Sequence, residues 1–218
     1  MKQVLVFGGL SSWGFSLSEV LLEKGVKVVS ISSAINDRER KQEEEREFFL
    51  GRNAFFHRAD SLPEGSMDGL ILADTFRVQE TENKQLKKKM RFVLRSCARP
   101  GAGAFVFMSS TAIYGESGRF SEKYPVHPLS AEGKAADVME SLFVQELLKM
   151  KQVKAVIFRI DFSDDTEERK RRIADLTSEL AFTAHQGLEV VHYIDRKDVA
   201  PSTNQKIRRL LGDRFFDR

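Results

Sequence analysis

The sequence predicts an α/β domain built on a single doubly wound parallel sheet of about seven strands, with helices on both faces. Strand and helix patterns alternate along the whole chain, which is the order that parallel sheets require. Several strand segments are continuous apolar runs, typical of strands that are covered on both faces. The length of 218 residues fits one domain, and a hydrophobic share of 41% is enough for a sizeable core.

The first half of the chain contains four predicted strands. The strand segment Gln3–Phe7 is apolar from Val4 onward, and after a glycine-containing turn, apolar residues at helical spacing continue to Gly25, a natural helix stop. With a second buried strand at 26–32, this unit has the size of one βαβ crossover. The charged run 37–47 favours a solvated helix with paired charges over an interaction tail. Two more strands are predicted at 54–58 and 68–73.

The second half continues the alternation. Helices are predicted at 82–98, 131–150, 167–185 and 197–211, and strands at 104–108, 153–160 and 188–194. Residues 1–160 form a nucleotide-binding core in this interpretation, and 161–218 complete the sheet. Only the stretches around 115–130 and 161–187 are then left to build a substrate site.

Composition excludes several classes of protein. The balance of 35 Lys+Arg against 32 Asp+Glu gives a net charge of +3, so a mixed surface is expected and a nucleic-acid partner is disfavoured. The lone Cys97 excludes a disulfide framework, and the four histidines lack metal-ligand spacing, so no metal site is expected. No apolar run reaches the ~18 residues of a membrane span, and no signal peptide precedes the first strand. We therefore expect a cytoplasmic protein without a membrane partner.

The turn after the first strand is the first candidate site, because ligands of doubly wound sheets bind at the carboxyl ends of the strands. It contains two adjacent glycines and a third, in the order Gly8, Gly9, Leu10, Ser11, Ser12, Trp13 and Gly14. The first glycine permits the tight exit from the strand, the last lets the helix approach the sheet, and the free N–H groups of the helix start suit a phosphate. Ser11 replaces a middle glycine and offers a hydroxyl to the phosphate. Trp13 either flanks the nucleotide or packs at the helix start.

These residues resemble the short-chain dehydrogenase/reductase superfamily, in particular its extended, epimerase/dehydratase-like branch, which often has Gly-Gly-x-x-x-x-Gly. Segment 58–62, with Asp60 and Ser61, is similar to the family's segment beside the adenine, and 67–73, ending in Ala73, to its fourth strand. The closest similarity is 107–115, where the position of Ser110 holds substrate in the family. The resemblance implies a Rossmann fold, a dinucleotide ligand and, by analogy, a homodimer.

The end of the second strand bears on the choice of cofactor. An acid there holds the ribose of NAD, and a base accommodates the phosphate of NADP. The chain has Ser32 at this point and Arg38 several residues later. The missing acid favours NADP over NAD, or no cofactor at all.

The proton-transfer motif implied by the resemblance is incomplete. The family uses a tyrosine and a lysine four residues later, which lowers the pKa of the tyrosine and holds the ribose. Lys134 is present, but Ser130 occupies the tyrosine position, and a serine hydroxyl ionises far above the tyrosine pKa of ~10. Tyr124 is an alternative proton donor from a loop, and Ser110 either contacts substrate or caps loop backbone.

Three hypotheses follow. The first is an NAD(P)-binding protein with a degenerate catalytic motif that acts as a regulatory or scaffold subunit, with a protein partner. The second is an active NAD(P)-dependent enzyme that uses Ser110, Lys134 and Tyr124. The third is an RNA-binding relative, motivated by basic residues of the helix 82–98 and at 169–172.

Overall fold

The structure is a computed structural model that describes residues 2–62, 67–98, 103–115, 120, 122, 126–150, 153–163, 165–196 and 199–216. The strands are β1 (Gln3–Phe7), β2 (Lys27–Ile31), β3 (Phe56–Ala59), β4 (Gly69–Leu72), β5 (Ala104–Ser110), β6 (Lys154–Ile160) and β7 (Gly187–Tyr193). The helices are α1 (Ser12–Glu23), α2 (Asp37–Leu50), α3 (Glu80–Cys97), α4 (Ala131–Leu147), α5 (Glu167–Thr183) and α6 (Gln205–Leu211). Short 3-10 turns span Thr111–Tyr114, Pro201–Asn204 and Asp213–Phe215.

The strands of the described residues form one parallel sheet in the order β3-β2-β1-β4-β5-β6-β7. Leu5 at the centre of β1 pairs with Val29 of β2 on one side and with Leu70 of β4 on the other. The chain proceeds outward from β1 to β3 and then returns to β4, so the strand order reverses between β1 and β4. A ligand crevice is expected outside the carboxyl ends of these two strands. The predicted doubly wound sheet of seven strands is confirmed.

Two apolar cores cover the sheet because successive side chains of each strand point to opposite faces. Val4 and Val6 belong to the core under α1 and α5, whereas Leu5 and Phe7 belong to the core under α3 and α4. Both cores reach full burial, which explains why the strands have continuous apolar sequences.

Several boundaries differ from the sequence prediction by one to three residues, such as the end of α4 at Leu147 instead of 150, and the start of α6 differs by eight. The helix predicted at 197–211 is α-helical only from Gln205, because a 3-10 turn that begins at Pro201 precedes it. Proline has no N–H to donate, and its neighbour is biased away from helical geometry. β5 continues two residues beyond Met108 to Ser110, paired with β6 through Ile160.

Candidate functional site

The turn between β1 and α1 requires glycine at two positions. Gly8 has φ 76°, and a Cβ there would lie 2.5 Å from the Cβ of Asp74. A Cβ on Gly14 would lie 1.8 Å from the carbonyl oxygen of Gly8. The turn therefore folds back tightly on the start of α1, as expected for a turn that brings a helix N-terminus to the carboxyl edge of the sheet.

Ser11 has a role in the helix itself. Its backbone is extended, and its Oγ accepts a hydrogen bond from the N–H of Gly14 at 3.2 Å, so it is the N-cap of α1. The carbonyl of Gly9 accepts a hydrogen bond from the Ser18 hydroxyl at 2.8 Å. In the first turn of α1, the N–H groups of Ser12 and Trp13 have no intrahelical acceptor and are available to an anion.

A cavity of about 220 Å³, here the β2–β3 cavity, lies at the carboxyl ends of β2 and β3, and Phe7, the last residue of β1, also lines it. The predicted residues Ser32, Asp60 and Ser61 line it together. Lys89 and Phe92 of α3 form the opposite wall, and sequence reasoning missed them because only the fold brings α3 to this edge. Burial lowers the pKa of Lys89, whose Nζ donates to the carbonyl of Ala34 at 2.5 Å.

The loop after β2 is fixed by ion pairs. Arg77 donates to the carboxylate of Asp74 at 2.6 and 2.7 Å and to that of Glu39 at 3.0 and 3.2 Å, and the Ser33 hydroxyl donates to Asp74 at 2.5 Å. Burial opposes the charge of Glu39, but hydrogen bonds from Arg77 and from the N–H of Ile35 lower its pKa. These contacts hold the loop that carries Ser32, one of the residues that line the cavity.

Other predicted cofactor contacts lie apart from the cavity lining. Arg38 is exposed on the first turn of α2 and does not line the cavity. Ala73 is buried at the end of β4, where its N–H donates to the carbonyl of Phe7 at 3.0 Å. Ala73 thus belongs to the switch point, and Arg38 reaches solvent instead.

Three aromatic side chains meet at the same edge. The ring of Phe162, which follows β6, contacts Trp13 edge to face at 5.1 Å between centroids and Phe76 at 5.6 Å. Trp13 comes from the start of α1, and Phe76 follows β4. The aromatic cluster therefore joins the carboxyl ends of β1, β4 and β6, and Trp13 packs at the helix start, one of its two predicted options.

The hydroxyl of Ser110, at the end of β5, makes two hydrogen bonds within the protein. Its hydroxyl donates to Oε1 of Glu132 at 2.6 Å, and its Oγ accepts the N–H of Ala112 at 3.0 Å. The capping role of Ser110 is thus confirmed. Glu132 is two residues from both Ser130 and Lys134 and therefore lies on a different face of α4, the face that reaches Ser110.

Unlike Glu132, neither Ser130 nor Lys134 is hydrogen-bonded to Ser110. Ser130 is the N-cap of α4 and accepts the N–H of Gly133 at 3.0 Å. Lys134 is exposed and lines a groove of about 400 Å³ between α3 and α4, together with Lys87 and Val138. Tyr124 lies outside the described residues.

A buried polar network lies below this junction. Nε2–H of His192 donates to the carbonyl of Thr203 at 2.8 Å, so its Nδ1 accepts the hydroxyl of Tyr114 at 3.1 Å. Burial lowers the pKa of His192 and raises that of Tyr114. Arg159 lies over the Tyr114 ring and donates to the carboxylate of Glu140 at 2.9 and 2.7 Å. These groups satisfy one another inside the protein.

Five of the basic residues that motivated an RNA-binding hypothesis form ion pairs within the protein. The pairs are Lys84 with Glu80, Arg91 and Arg95 with Glu146, Lys170 with Glu167, and Arg171 with Glu23. Among the described residues, no group of three His, Cys, Asp or Glu side chains is arranged to hold a metal ion. No helix in the described part of the chain is long and apolar enough to cross a membrane.

Comparison with known proteins agrees with this geometry. The model of the NAD dependent epimerase/dehydratase family matches residues 4–161. No curated protein sequence matches the chain. UDP-glucuronic acid 4-epimerase from Bacillus cereus, solved in complex with NAD, is 19% identical over 73% of this chain and 56% of its own, with a TM-score of 0.59.

UDP-glucose 4-epimerase from Bifidobacterium longum, solved with NAD+ and UDP, is 14% identical over 97% of this chain and 92% of its own, with a TM-score of 0.68. At these identities the solved structures establish the shared fold. The chain spans little more than half the length of the Bacillus cereus enzyme. Because the family model covers most of the sequence, the chain belongs to the NAD-dependent epimerase/dehydratase family.

Proposed function

We propose that this chain binds an adenine dinucleotide, NADP or NAD, at the carboxyl edge of its sheet and does not perform the proton transfer of its relatives. It then acts as a regulatory or scaffold protein whose ligand is bound without turnover. The observation that carries this proposal is the N-cap role of Ser130: its hydroxyl, at the position that the sequence resemblance assigns to the family's tyrosine, accepts a hydrogen bond from the backbone of α4.

The nucleotide end supports binding. Gly8 and Gly14 bring the start of α1 to the edge, and the β2–β3 cavity beside it is bounded by Asp60, Ser61 and Phe92. A flat apolar side chain opposite polar groups suits an adenosine. The Bacillus cereus and Bifidobacterium longum structures contain NAD in the shared fold, which agrees with a dinucleotide ligand.

The start of α4 supports the proposed loss of proton transfer. A general acid or base must lie within hydrogen-bond reach of the proton that it moves and must have a pKa near the working pH. The Ser130 hydroxyl meets neither condition, because it caps α4 and has no charge delocalisation. The Lys134 ammonium lies in the groove between α3 and α4.

The cavity favours NADP over NAD. Ser32 stands at the end of β2 in the place of the acid that would repel a 2′-phosphate, and Lys89 supplies a cation on the same cavity. We expect Lys89→Gln to weaken NADP binding about tenfold, the effect of losing ~1.4 kcal/mol, and to leave NAD within twofold. Arg38→Gln is the matched control, since Arg38 is exposed away from the cavity lining.

Calorimetric titration of NAD+, NADH, NADP+ and NADPH into the purified chain tests binding. Incubation with each cofactor and UDP-glucose or UDP-glucuronic acid tests turnover. We expect saturable binding and no conversion of either sugar nucleotide. Conversion that Lys134→Ala abolishes would refute the loss of proton transfer, and the absence of any binding would refute the dinucleotide ligand.

A second candidate is a rewired enzyme, which one contact favours. The carboxylate of Glu132 accepts the Ser110 hydroxyl at 2.6 Å at the carboxyl edge, an arrangement in which a carboxylate can take a proton from a hydroxyl. This candidate requires turnover that is lost in Glu132→Gln. Turnover that survives Glu132→Gln, or no turnover in the unaltered chain, excludes it.

A further inference from the structure

Arg169 is a buried cation, two of whose guanidinium nitrogens have no hydrogen-bond partner among the described residues. It lies in the first turn of α5 and is only 7% exposed, and the two nitrogens are Nε and Nη2. A guanidinium carries five N–H donors and does not lose its charge in proteins. Unlike a buried lysine or carboxyl, it therefore cannot escape the cost of burial by becoming neutral.

Within the part of the chain that the structure describes, Arg169 forms no ion pair with a carboxylate. The Lys170 ammonium pairs with two acids near the start of α5, with Nζ 3.0 Å from Glu167 and 3.8 Å from Asp165. By contrast, Arg159, equally buried, is matched by both oxygens of Glu140. An unpaired buried charge is strongly unfavourable, so a missing anion is the simplest complement.

The position of Arg169 indicates where that anion binds. Arg169 precedes the fully buried Ile173 by four residues, so both lie on the face of α5 that packs into the core shared with α1. Helical side chains point back toward the helix N-terminus, which places the guanidinium toward the carboxyl edge of the sheet. The start of α1 lies at this same edge.

We propose that Arg169 is the fixed positive charge of a phosphoryl-binding site at the carboxyl edge between α1 and α5. Its ligand chemistry is a pyrophosphate, which accepts paired hydrogen bonds from a guanidinium. Two sources carry that group: the dinucleotide of the proposed function, and a second ligand of the sugar-nucleotide class. In the first case the inference rests on the proposed function, and in the second it is independent of it.

Inorganic pyrophosphate is the first probe. Without ligand, Arg169→Met should unfold at a temperature equal to or higher than that of the unaltered chain, because an apolar side chain replaces an unpaired buried charge. Pyrophosphate should raise the unfolding temperature of the unaltered chain, and its Kd should be at least tenfold weaker for Arg169→Met. The control is Arg171→Met on the same helix, whose half-exposed guanidinium pairs with Glu23 and which should bind pyrophosphate normally.

The inference is overturned if pyrophosphate does not bind the unaltered chain, or if it binds Arg169→Met equally well. If Arg169→Met does not fold, Arg169→Lys takes its place. The Arg169→Lys variant keeps the positive charge but lacks the planar guanidinium with its paired donors. Its Kd for pyrophosphate should therefore be at least threefold higher than that of the unaltered chain, and an unchanged Kd overturns the inference.

NAD+, adenosine and UDP-glucose then separate the two sources. A loss of NAD+ affinity in Arg169→Met, with adenosine unaffected, assigns the site to the dinucleotide. A loss confined to UDP-glucose assigns it to the second ligand. If the unaltered chain binds pyrophosphate through Arg169 but binds no dinucleotide, the proposed function fails and the phosphoryl site stands.

Discussion

The two ends of the carboxyl edge differ in how their polar groups are used. At the nucleotide end, the first N–H groups of α1 have no intrahelical acceptor, and the side chains of Ser32, Asp60 and Ser61 line an open cavity. At the junction of β5 and α4, Ser110 is bonded to Glu132, and Ser130 is bonded to backbone. The nucleotide end therefore has hydrogen-bonding groups that are available to a ligand, whereas those at the β5–α4 junction are already bonded within the protein.

This contrast has a physical basis. Binding of a phosphate depends on backbone geometry and on glycines, which a whole turn maintains. Proton transfer depends on one side chain of suitable pKa, and a single replacement removes it. Binding and catalysis are therefore separable in this fold, because they belong to different elements.

The largest expected effect is structural and lies below the β5–α4 junction. Glu140→Ala leaves the guanidinium of Arg159 buried without its partner and should lower the free energy of unfolding by about 3–5 kcal/mol. Denaturant unfolding measures this. Nucleotide affinity should be unchanged in the folded protein. The control, Glu80→Ala, removes an exposed pair with Lys84 and should cause no measurable change. A loss below ~1 kcal/mol, the range of exposed pairs, would contradict a structural role for this network.

Two glycines allow a matched test of the two ends. A Cβ on Gly14 would meet the carbonyl of Gly8 at 1.8 Å, and a Cβ on Gly133 would meet the carbonyl of Ala112 at 2.4 Å. Both alanine variants should lose roughly 1–3 kcal/mol of stability through overpacking. Only Gly14→Ala should also weaken dinucleotide binding, by at least tenfold in calorimetry. An equal loss of dinucleotide affinity in both variants would contradict the claim that only the turn between β1 and α1 contributes to binding.

Glu146 gives a pH-dependent prediction for the α4 side. Hydrogen bonds from Arg95 and then Lys149 lower the pKa of its carboxyl to about 2. Because the unfolded carboxyl has a pKa near ~4.3, this stabilisation is fully present above about pH 5 and is lost as the pH falls toward the folded value. Glu146→Gln should therefore cost about 1.5 kcal/mol at pH 7 and progressively less below pH ~4.

Denaturant unfolding of Glu146→Gln at pH 7, 4 and 2.5 measures this difference, with the exposed Glu44→Gln as the control. Nucleotide binding at pH 7 should not change. A destabilisation that is constant across this pH range would show that the carboxylate charge is not its source.

The smallest effect concerns Ser130. Loss of the N-cap in Ser130→Ala should cost about 1 kcal/mol, and Ser130→Asp, which restores a capping oxygen, should recover most of it. Neither variant should change dinucleotide affinity or any turnover. Turnover that disappears in Ser130→Ala would instead identify the hydroxyl as a catalytic group.

The fold was predictable because its signals are local. Continuous apolar runs such as Gln3–Phe7 placed the strands within one or two residues, and the glycine turn predicted where α1 begins. The site was less predictable because it depends on side chains far apart in sequence. Nothing in the local pattern connects Glu132 to Ser110 across 22 residues, or Phe162 to Trp13. Likewise, only the tertiary structure reveals that Nε and Nη2 of Arg169 lack a hydrogen-bond partner among the described residues.

One calorimetric experiment tests the central claim most directly. NADP+ or NAD+ is titrated into the intact chain in the presence of UDP-glucose, and the nucleotide sugars in the cell are then analysed by NMR. We expect a saturable isotherm and UDP-glucose recovered unchanged. The absence of binding heat with either cofactor at several temperatures, or the appearance of a converted sugar nucleotide, would contradict a protein that keeps the nucleotide site and has lost proton transfer.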